Sequence, residues 1–147
     1  ADMLQALNET LMANETANGL IRDIDVEYEI PGLMELAGEW WKCKIDIKNN
    51  TQGIIVDLKT SGDITRFEQS ARNYNYDSQA FIYSSYFKMD FIFLVIDKKT
   101  KKIGIFDCSP QFLERGKFKV EEAAEQYRLY YKDQSFDPKN YFISKTL

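Results

Sequence analysis

Two apolar segments of this 147-residue chain each carry an aspartate and a lysine at alternating positions. Because side chains alternate along a β-strand, Lys44 and Asp46 share one face of the first segment. Asp57 and Lys59 share one face of the second segment for the same reason. The polar residues 48–53 between the segments predict a hairpin, which brings two carboxylates and an ammonium group together. Carboxylates suit Mg²⁺ or Mn²⁺ and a lysine can orient a metal-bound water, so the pattern predicts phosphodiester hydrolysis.

The spacing resembles the core of the PD-(D/E)xK nuclease superfamily, in which an aspartate precedes an Asp-x-Lys motif at the end of an apolar strand. Ten residues separate Asp46 from Asp57, and Asp57-Leu58-Lys59 supplies the motif. The resemblance implies that both aspartates hold the metal and that Lys59 activates the attacking water. It also implies that the Leu58 backbone carbonyl is a metal ligand, with the Leu58 side chain pointing into the core. The competing interpretation is a pair of surface acids, but an inward-facing acid pair is costly without a cation.

A second pattern, downstream of the first, indicates which branch of the superfamily the chain resembles. Gln79 and Tyr83 form Gln-x-x-x-Tyr on a predicted helix, where residues four apart share a face. This pair resembles the RecB-type branch, and residues 20–90 are most similar to RecE-like nucleases, meaning the exodeoxyribonuclease VIII C-terminal domain and its phage relatives. The resemblance implies that Gln79 and Tyr83 contact the DNA backbone or position groups next to the metal site. Thr60 and Arg66 are further candidates for phosphate contacts. The alternative is a core tyrosine beside a polar boundary residue.

RecB-type nucleases usually draw one more acidic ligand from the strand before the first aspartate. Val26–Ile30 alternates apolar and acidic residues and predicts that strand, which Pro31 and Gly32 are expected to end. The register favours Glu27 as the additional metal ligand and leaves Glu29 open. The competing interpretation places both glutamates on a solvated face.

The predicted elements follow the order α-β-β-β-α-α-β-β-α, which indicates an α/β fold with a mixed sheet flanked by helices. Continuous apolar residues at 91–96 are typical of a strand buried on both faces. Asp63 is expected to cap the helix after the Asp-x-Lys strand. The tail from Asp133 shows no periodicity. The elements are an N-terminal helical region broken near 18–19, strands at 26–30, 42–46, 54–60, 91–96 and 103–106, and helices from 63, at 78–87 and at 120–131.

Composition indicates a compact globular protein. With 44% hydrophobic and 14% aromatic residues, residues 1–147 are expected to form a single domain. No apolar run is long enough to span a membrane and no signal peptide is visible, so a soluble, cytoplasmic protein with no membrane partner is expected. The resemblance implies a bacterial host or a phage as the source. Cys43 and Cys108 form no CxxC pair, which favours buried reduced thiols.

The formal net charge of −4 argues against a protein that coats nucleic acid nonspecifically, because phosphate neutralisation needs a basic face. Clustered acidic ligands lower the net charge until metal binds. Any DNA contact is therefore expected to be local. The lysine-rich run at 98–102 is interpreted as a solvated hairpin tip.

The chain contains no histidine. RecE-like nucleases usually present a metal-binding histidine on a helix upstream of the first aspartate. The favoured explanation is a nuclease core that lacks its upstream N-terminal helices. The competing explanation is a protein that binds metal with fewer ligands or has lost activity.

The residues and the resemblance together predict a Mg²⁺- or Mn²⁺-dependent DNA exonuclease. By resemblance it would resect linear duplex ends in the 5′-to-3′ direction during phage or prophage recombination. A single-strand annealing protein and a ring-shaped homo-oligomer are the partners that the resemblance implies. One alternative is another PD-(D/E)xK endonuclease, such as a restriction or repair enzyme. The other is a catalytically silent DNA-binding or assembly module of the same fold.

Overall fold

The computed structural model describes residues 2–135, 137 and 144–146. In this part of the chain, helices and strands follow one another in the predicted order, with a 3-10 turn at Ile64–Arg66. The helices are α1 (Asp2–Ala13), α2 (Glu15–Ile21), α3 (Phe67–Asn73), α4 (Tyr76–Phe87) and α5 (Pro110–Tyr131). The strands are β1 (Val26–Leu36), β2 (Glu39–Asn49), β3 (Ile54–Ser61), β4 (Asp90–Asp97) and β5 (Ile103–Asp107). The predicted α/β fold is therefore confirmed.

The strands form one five-stranded sheet in the order β1-β2-β3-β4-β5. Neighbours are antiparallel except β3 and β4, which are parallel and in register from Ile54↔Asp90 to Ser61↔Asp97. α3 and α4 make the crossover that a parallel connection requires. The strand that carries the Asp-x-Lys motif, β3, therefore lies at the centre of a mixed sheet.

Helices cover both faces of the sheet, which explains why β4 is buried at nearly every position. One face packs against α3 and α4 through Ile55, Phe91, Phe93, Val95, Phe67, Ala71 and Ala80. The other face packs against α2 through Val56, Ile92, Leu94, Ala17, Leu20 and Ile21. Since side chains alternate along β3, Asp57 follows Ile55 and faces α4.

The first strand is longer than the sequence predicts. β1 does not end at Pro31 and Gly32 but continues to Leu36. Pro31 is tolerated because β1 is an edge strand, where a missing N–H interrupts no second ladder. Gly32 is needed because a Cβ at this position would lie 2.6 Å from both Cys43 Sγ and the Tyr86 ring. The Pro-Gly pair therefore marks close packing of β1 against α4 and not the end of a strand.

Three helix boundaries also differ from the prediction. The N-terminal break falls at Asn14, whose side chain caps α2, and not near residues 18–19. α4 begins at Tyr76, two residues earlier than predicted. α5 begins at Pro110, ten residues before the predicted start, because Ser109 caps it and a proline is tolerated in the first turn, where no N–H partner is needed.

Asp63 acts as the predicted cap, and of the two thiols predicted to be buried only Cys43 is. Asp63 caps the 3-10 turn by accepting one of its backbone N–H groups. Cys43 and Cys108 are free thiols, although Cys108 is only half-buried. Burial raises the pKa of both, that of Cys108 to about 12. Within the described ranges, no helix combines the length and apolar character needed to cross a bilayer. Most of the tail after Asp133 lies outside the described residues.

Candidate active site

The candidate site lies where β2 and β3 stop pairing. Their ladder covers three residue pairs and ends at Ile47↔Val56. Beyond it, the Asp46 carboxylate takes the place of a backbone partner, since its Oδ2 accepts the Leu58 N–H at 2.8 Å. β2 also changes face at this point: Ile45 belongs to the core under α3 and α4, whereas Ile47 belongs to the core under α2. The separation of the strands leaves the Asp46 carboxylate between β2 and β3, next to the backbone of Leu58.

Three side chains form a closed cluster beside Asp46. Lys59 Nζ lies 2.9 Å from Asp57 Oδ2 and donates to Gln79 Oε1 at 3.2 Å. Gln79 Nε2 donates to Asp57 Oδ1 at 2.8 Å. The two charged residues come from one face of β3, and Gln79 reaches them from α4. The structure thus brings together four residues that the sequence singles out, with a single cation among them.

Asp57 is almost completely buried, with 3% of its surface exposed. Burial raises its pKa, and the charge of Asp46 adds to the rise, while Lys59 and Gln79 oppose it. Asp57 Oδ2 is paired with the Lys59 ammonium at 2.9 Å, and among the described residues it has no further partner. Such a buried carboxylate oxygen is costly to leave incompletely paired, so it has capacity for a further cation.

The residues at the site fit a divalent cation that is shared with substrate. Asp46, Asp57 and the Leu58 carbonyl offer the oxygen donors that Mg²⁺ and Mn²⁺ prefer. Mg²⁺ is commonly held by one or two carboxylates, with waters and substrate phosphates completing its octahedron. Among the described residues, no group of three or more His, Cys, Asp or Glu side chains could hold a metal ion. Any metal bound by these residues would therefore depend on water and phosphate oxygens for most of its ligands.

The two glutamates of β1 have different partners. Glu27 pairs with Lys48 at 2.9 Å, towards the turn that joins β2 and β3. The β1–β2 register places Glu29 across from Asp46, where Glu29 adopts a φ of 56° and forms an ion pair with Lys44. Glu29 raises the pKa of Lys44, and the charge of Asp46 adds to the effect. Glu27 as a metal ligand stays a prediction, and Glu29 is the acid that faces Asp46 across the ladder.

The Leu58 side chain does not point into the core, which corrects the expectation from sequence. It is 39% exposed and lines a groove beside α1 with Leu7. Alternation explains the difference, because Asp57 and Lys59 face α4 and Leu58 must face the opposite side. That side is only partly covered by α1. Thr60 shares this groove and is exposed next to α1.

Tyr83 and Arg66, two of the predicted DNA contacts, have partners outside the cluster. Tyr83 is one turn after Gln79, but its ring packs edge-on against Phe91 with 5.9 Å between centroids. Arg66 is on the 3-10 turn, with 78% of its side chain exposed, and its Nε lies 3.6 Å from an Asp63 carboxylate oxygen. The contacts of these residues with DNA stay predictions.

Tyr76 joins the site in a way that its sequence context does not reveal. Lys59 Nζ lies over the Tyr76 ring, 4.4 Å from the centroid, within the range of a cation–π interaction. Phe67 and Phe93 hold the ring in place, with centroids 5.9 Å and 5.6 Å away. The contact exists because the first turn of α4 docks over β3. The sequence could have indicated this contact only if the start of α4 had been predicted at Tyr76.

A buried ion cluster around Asp77 fixes α4 against α5. Asp77 is fully buried and accepts hydrogen bonds from Arg115 Nε at 2.6 Å and Lys119 Nζ at 3.0 Å. Burial raises the pKa of Asp77, but the hydrogen bonds from both cations outweigh it and hold the pKa below its ordinary value. Gly116 permits the close approach, because a Cβ there would collide with the Asp77 carbonyl. The cluster therefore sets the position of Gln79, two residues further along α4.

Comparisons with known proteins agree with this fold. The model of a family described as a PDDEXK-like domain of unknown function (DUF3799) matches residues 1–140. The structure of a candidate exonuclease from Eubacterium rectale superposes with a TM-score of 0.75 at 19% sequence identity. The match covers 99% of this chain and 62% of the Eubacterium rectale chain. A phage-related exonuclease from Haemophilus somnus gives a TM-score of 0.47 at 18% identity, covering 85% of this chain and 70% of its own. No curated protein matches in sequence.

The family match extends over almost the whole chain, including Asp46, Asp57 and Lys59. The chain spans less than two thirds of the length of the Eubacterium rectale protein, and at 19% identity that likeness shows the fold alone. The family match confirms the predicted PD-(D/E)xK architecture. The chain thus belongs to the PDDEXK-like domain family DUF3799.

Proposed function

We propose that the protein is a metal-dependent deoxyribonuclease that hydrolyses phosphodiester bonds. The observation that carries the proposal is the closed cluster of Asp57, Lys59 and Gln79 beside Asp46. Two carboxylates at the end of a strand ladder, one of them buried and incompletely paired, offer a cation site. The ammonium beside them offers a group that acts on phosphate.

Asp46 and Asp57 would hold the cation, with the Leu58 carbonyl as a third donor and Glu27 as the additional acid. A bound Mg²⁺ or Mn²⁺ polarises the phosphate and lowers the pKa of its bound water. Because Asp57 is buried, its carboxylate is held in one orientation and binds without a large loss of side-chain entropy.

Lys59 is the residue proposed to act on the reacting groups. Its ammonium is restrained from three sides by Asp57, Gln79 and the Tyr76 ring. A restrained ammonium can orient the attacking water and stabilise negative charge that develops on the phosphate, without reorganisation during the reaction. Gln79 bonds to both charged residues and therefore fixes their relative position.

The finer proposal is a RecE-like exonuclease that resects linear duplex ends 5′ to 3′ in phage or prophage recombination. The order of its motifs supports this class, with Gln79 following the Asp-x-Lys strand on the next long helix. Gln79, Tyr83, Thr60 and Arg66 are the residues proposed to contact DNA. A ring-shaped oligomer and a single-strand annealing partner belong to the same proposal.

The direct test incubates the protein with linear and with covalently closed circular duplex DNA, each with Mg²⁺, Mn²⁺ or EDTA. An exonuclease degrades the linear DNA alone, and end-labelled substrates report the polarity. Cleavage of both substrates would assign an endonuclease instead. The matched control is Asp57→Asn, which is expected to cleave neither.

A second candidate is a catalytically silent DNA-binding module of the same fold. Two observations favour it: no three-acid cluster exists among the described residues, and the sequence contains no histidine. The two candidates differ in metal binding. A nuclease site with Mn²⁺ at about 100 times its Kd is stabilised by about 2.7 kcal/mol. A silent module would show no metal-dependent rise in melting temperature and no cleavage.

A further inference from the structure

The tight turn between β4 and β5 carries the densest positive charge of the chain. Lys98, Lys99, Lys101 and Lys102 occupy four of five consecutive positions, in a protein whose formal net charge is −4. The name lysine hairpin is used for residues 98–102. Three of its lysines are exposed, and Lys101 is half-buried, with its Nζ donating to the Lys98 carbonyl at 3.2 Å.

The charge of the lysine hairpin is not neutralised locally. Within the described part of the chain, none of its four lysines forms an ion pair with a carboxylate, whereas most other lysines and arginines do. Asp97 is the adjacent acid, but its oxygens accept the N–H groups of Lys99, Thr100 and Ile64. The positive groups are therefore available to a partner.

The backbone of the lysine hairpin is fixed to the strand that carries the candidate site. Asp97 Oδ2 accepts the Ile64 N–H at 3.0 Å, which joins the hairpin to the 3-10 turn after β3. The Lys98 N–H donates to the Ser61 carbonyl at 2.9 Å. Lysines on a fixed backbone bind with a smaller entropy cost than lysines on a mobile loop.

The lysine hairpin lies beyond the carboxyl end of β3, where open α/β sheets commonly bind ligands. Ser61 is two residues after Lys59, which is about 7 Å along a strand at ~3.3 Å per residue. That distance corresponds to about two nucleotides of duplex at ~3.4 Å per step. A DNA strand with its scissile phosphate at Lys59 would therefore bring neighbouring phosphates within reach of the hairpin. The exposed Arg66 lies on the adjoining 3-10 turn.

We propose that the lysine hairpin is a sequence-independent clamp for the backbone phosphates of the DNA strand that enters the candidate site. The inference rests on the proposed nuclease function for the identity of the polyanion. It gives the acidic protein a local basic surface next to Asp57 and Lys59. Charge complementarity and continuity with the site favour DNA phosphates over a protein partner as the occupant.

The test measures duplex binding by fluorescence anisotropy between 50 and 300 mM KCl, in Ca²⁺ to prevent cleavage. The patch variant changes Lys98, Lys99, Lys101 and Lys102 to glutamine. A control variant changes Lys42, Lys88, Lys117 and Lys145 to glutamine, so both variants lose the same charge. A second control replaces the four hairpin lysines by arginine. Circular dichroism and melting temperature establish that each variant is folded.

Neutralising the hairpin is expected to lower the slope of log K against log salt by about 2 to 4, since each phosphate contact contributes about 0.9. Affinity at 100 mM KCl should fall by at least about tenfold, equally for unrelated sequences. The charge-matched control and the arginine variant should keep the parental slope. If the patch variant and the charge-matched control lose slope equally, or neither loses any, the clamp is overturned.

Hydrolysis of bis(p-nitrophenyl) phosphate with Mn²⁺ separates this inference from the proposed function. That ester is too small to reach the lysine hairpin, so the parent and the patch variant should hydrolyse it at equal rates. A patch variant that loses this activity would show damage to the site and would refute the clamp as the cause. A parent that cleaves neither the ester nor DNA refutes the nuclease proposal, while the salt slope still decides whether the hairpin binds DNA.

Discussion

Replacing Asp77 by asparagine should destabilise the protein strongly, because Asp77 is a fully buried carboxylate that pairs with two cations of α5. Removing one partner from a buried charge cluster costs about 3–5 kcal/mol. Arg115 and Lys119 keep 39% and 32% of their side chains exposed, so solvent compensates part of the loss. We therefore expect the lower end, about 3 kcal/mol. One Arg115 nitrogen, Nη2, is already buried without a hydrogen-bond partner among the described residues, which limits that compensation.

Differential scanning calorimetry gives the direct measurement of Asp77→Asn. For a chain near 150 residues, each kcal/mol shifts the melting temperature by about 2–4 °C, so a fall of roughly 6–12 °C is expected. The control is Asp90→Asn, which removes an exposed acid and should change stability by less than about 0.5 kcal/mol. A melting temperature of Asp77→Asn within 2 °C of the parent would refute the assignment of the cluster as the anchor of α4.

The difference between parent and Asp77→Asn should also depend on pH in a defined direction. Because its hydrogen bonds hold the folded pKa of Asp77 below the ordinary value of 3.8, the carboxylate stabilises the fold at pH values above that number. The contribution is lost as the pH falls through the lowered pKa. The gap in melting temperature should thus be constant from pH 7 to about 5 and shrink below about pH 4. If the difference in melting temperature instead widens in acid, the folded pKa of Asp77 is not lowered and the reasoning is refuted.

The remaining predictions concern the chemistry of the site. Asp46→Asn and Asp57→Asn should each remove most DNA cleavage, and Asp57→Asn should not destabilise the metal-free protein, because burial raises the pKa of Asp57 and disfavours its charged form. Lys59→Ala should lower the single-turnover cleavage rate by roughly 10² while leaving Mn²⁺ affinity nearly unchanged; an equal rate would reassign Lys59 to a structural ion pair. Tyr76→Leu should lower the same rate by about 2- to 30-fold, the equivalent of a cation–π contact of ~0.5–2 kcal/mol. Gln79→Ala should reduce cleavage more than melting temperature, and a loss confined to melting temperature would assign it to packing.

The central part of the fold could be predicted because local pattern and tertiary position agree there. The apolar run at 91–96 is buried on both faces, and alternation on β3 puts Asp57 and Lys59 on one side. The β1 extension could not be predicted, since Pro31 and Gly32 are turn residues in almost any local context. They are tolerated only because β1 is an edge strand packed closely against Tyr86, which is a tertiary fact.

The start of α5 could not be predicted from the sequence for a similar reason. Its first three turns contain Gly116 and several charged residues, which weaken a helical pattern. The structure shows that Gly116 is there for the crossing with α4 and that Arg115 and Lys119 point at Asp77. Residues that look like helix breakers or surface charges therefore serve one helix–helix contact. The periodicity of a single sequence cannot predict such a contact.

In the candidate site, too, some features could be predicted from local sequence and others depend on tertiary contacts. Asp46, Asp57 and Lys59 follow from strand alternation and one hairpin, both of which are local. The hydrogen bonds of Gln79 to two charged residues, and the ring of Tyr76 under the Lys59 ammonium, depend on how α4 docks on the sheet. That docking is set at a distance by Asp77 and α5, so no pattern within the site could have revealed it.

The net charge of this chain and the local arrangement of its charges lead to different expectations for DNA binding. A formal charge of −4 predicts repulsion of DNA, but binding depends on the charges near the phosphates within a Debye length of about 8–10 Å. Many of the acids are paired with lysines or arginines elsewhere on the molecule, as Glu39 is with Lys132. The lysines of residues 98–102, which form no ion pair with any described carboxylate, lie beside the end of β3. An acidic protein can therefore present a positive surface where its substrate would pass, and the salt dependence of binding should report that local charge and not the total.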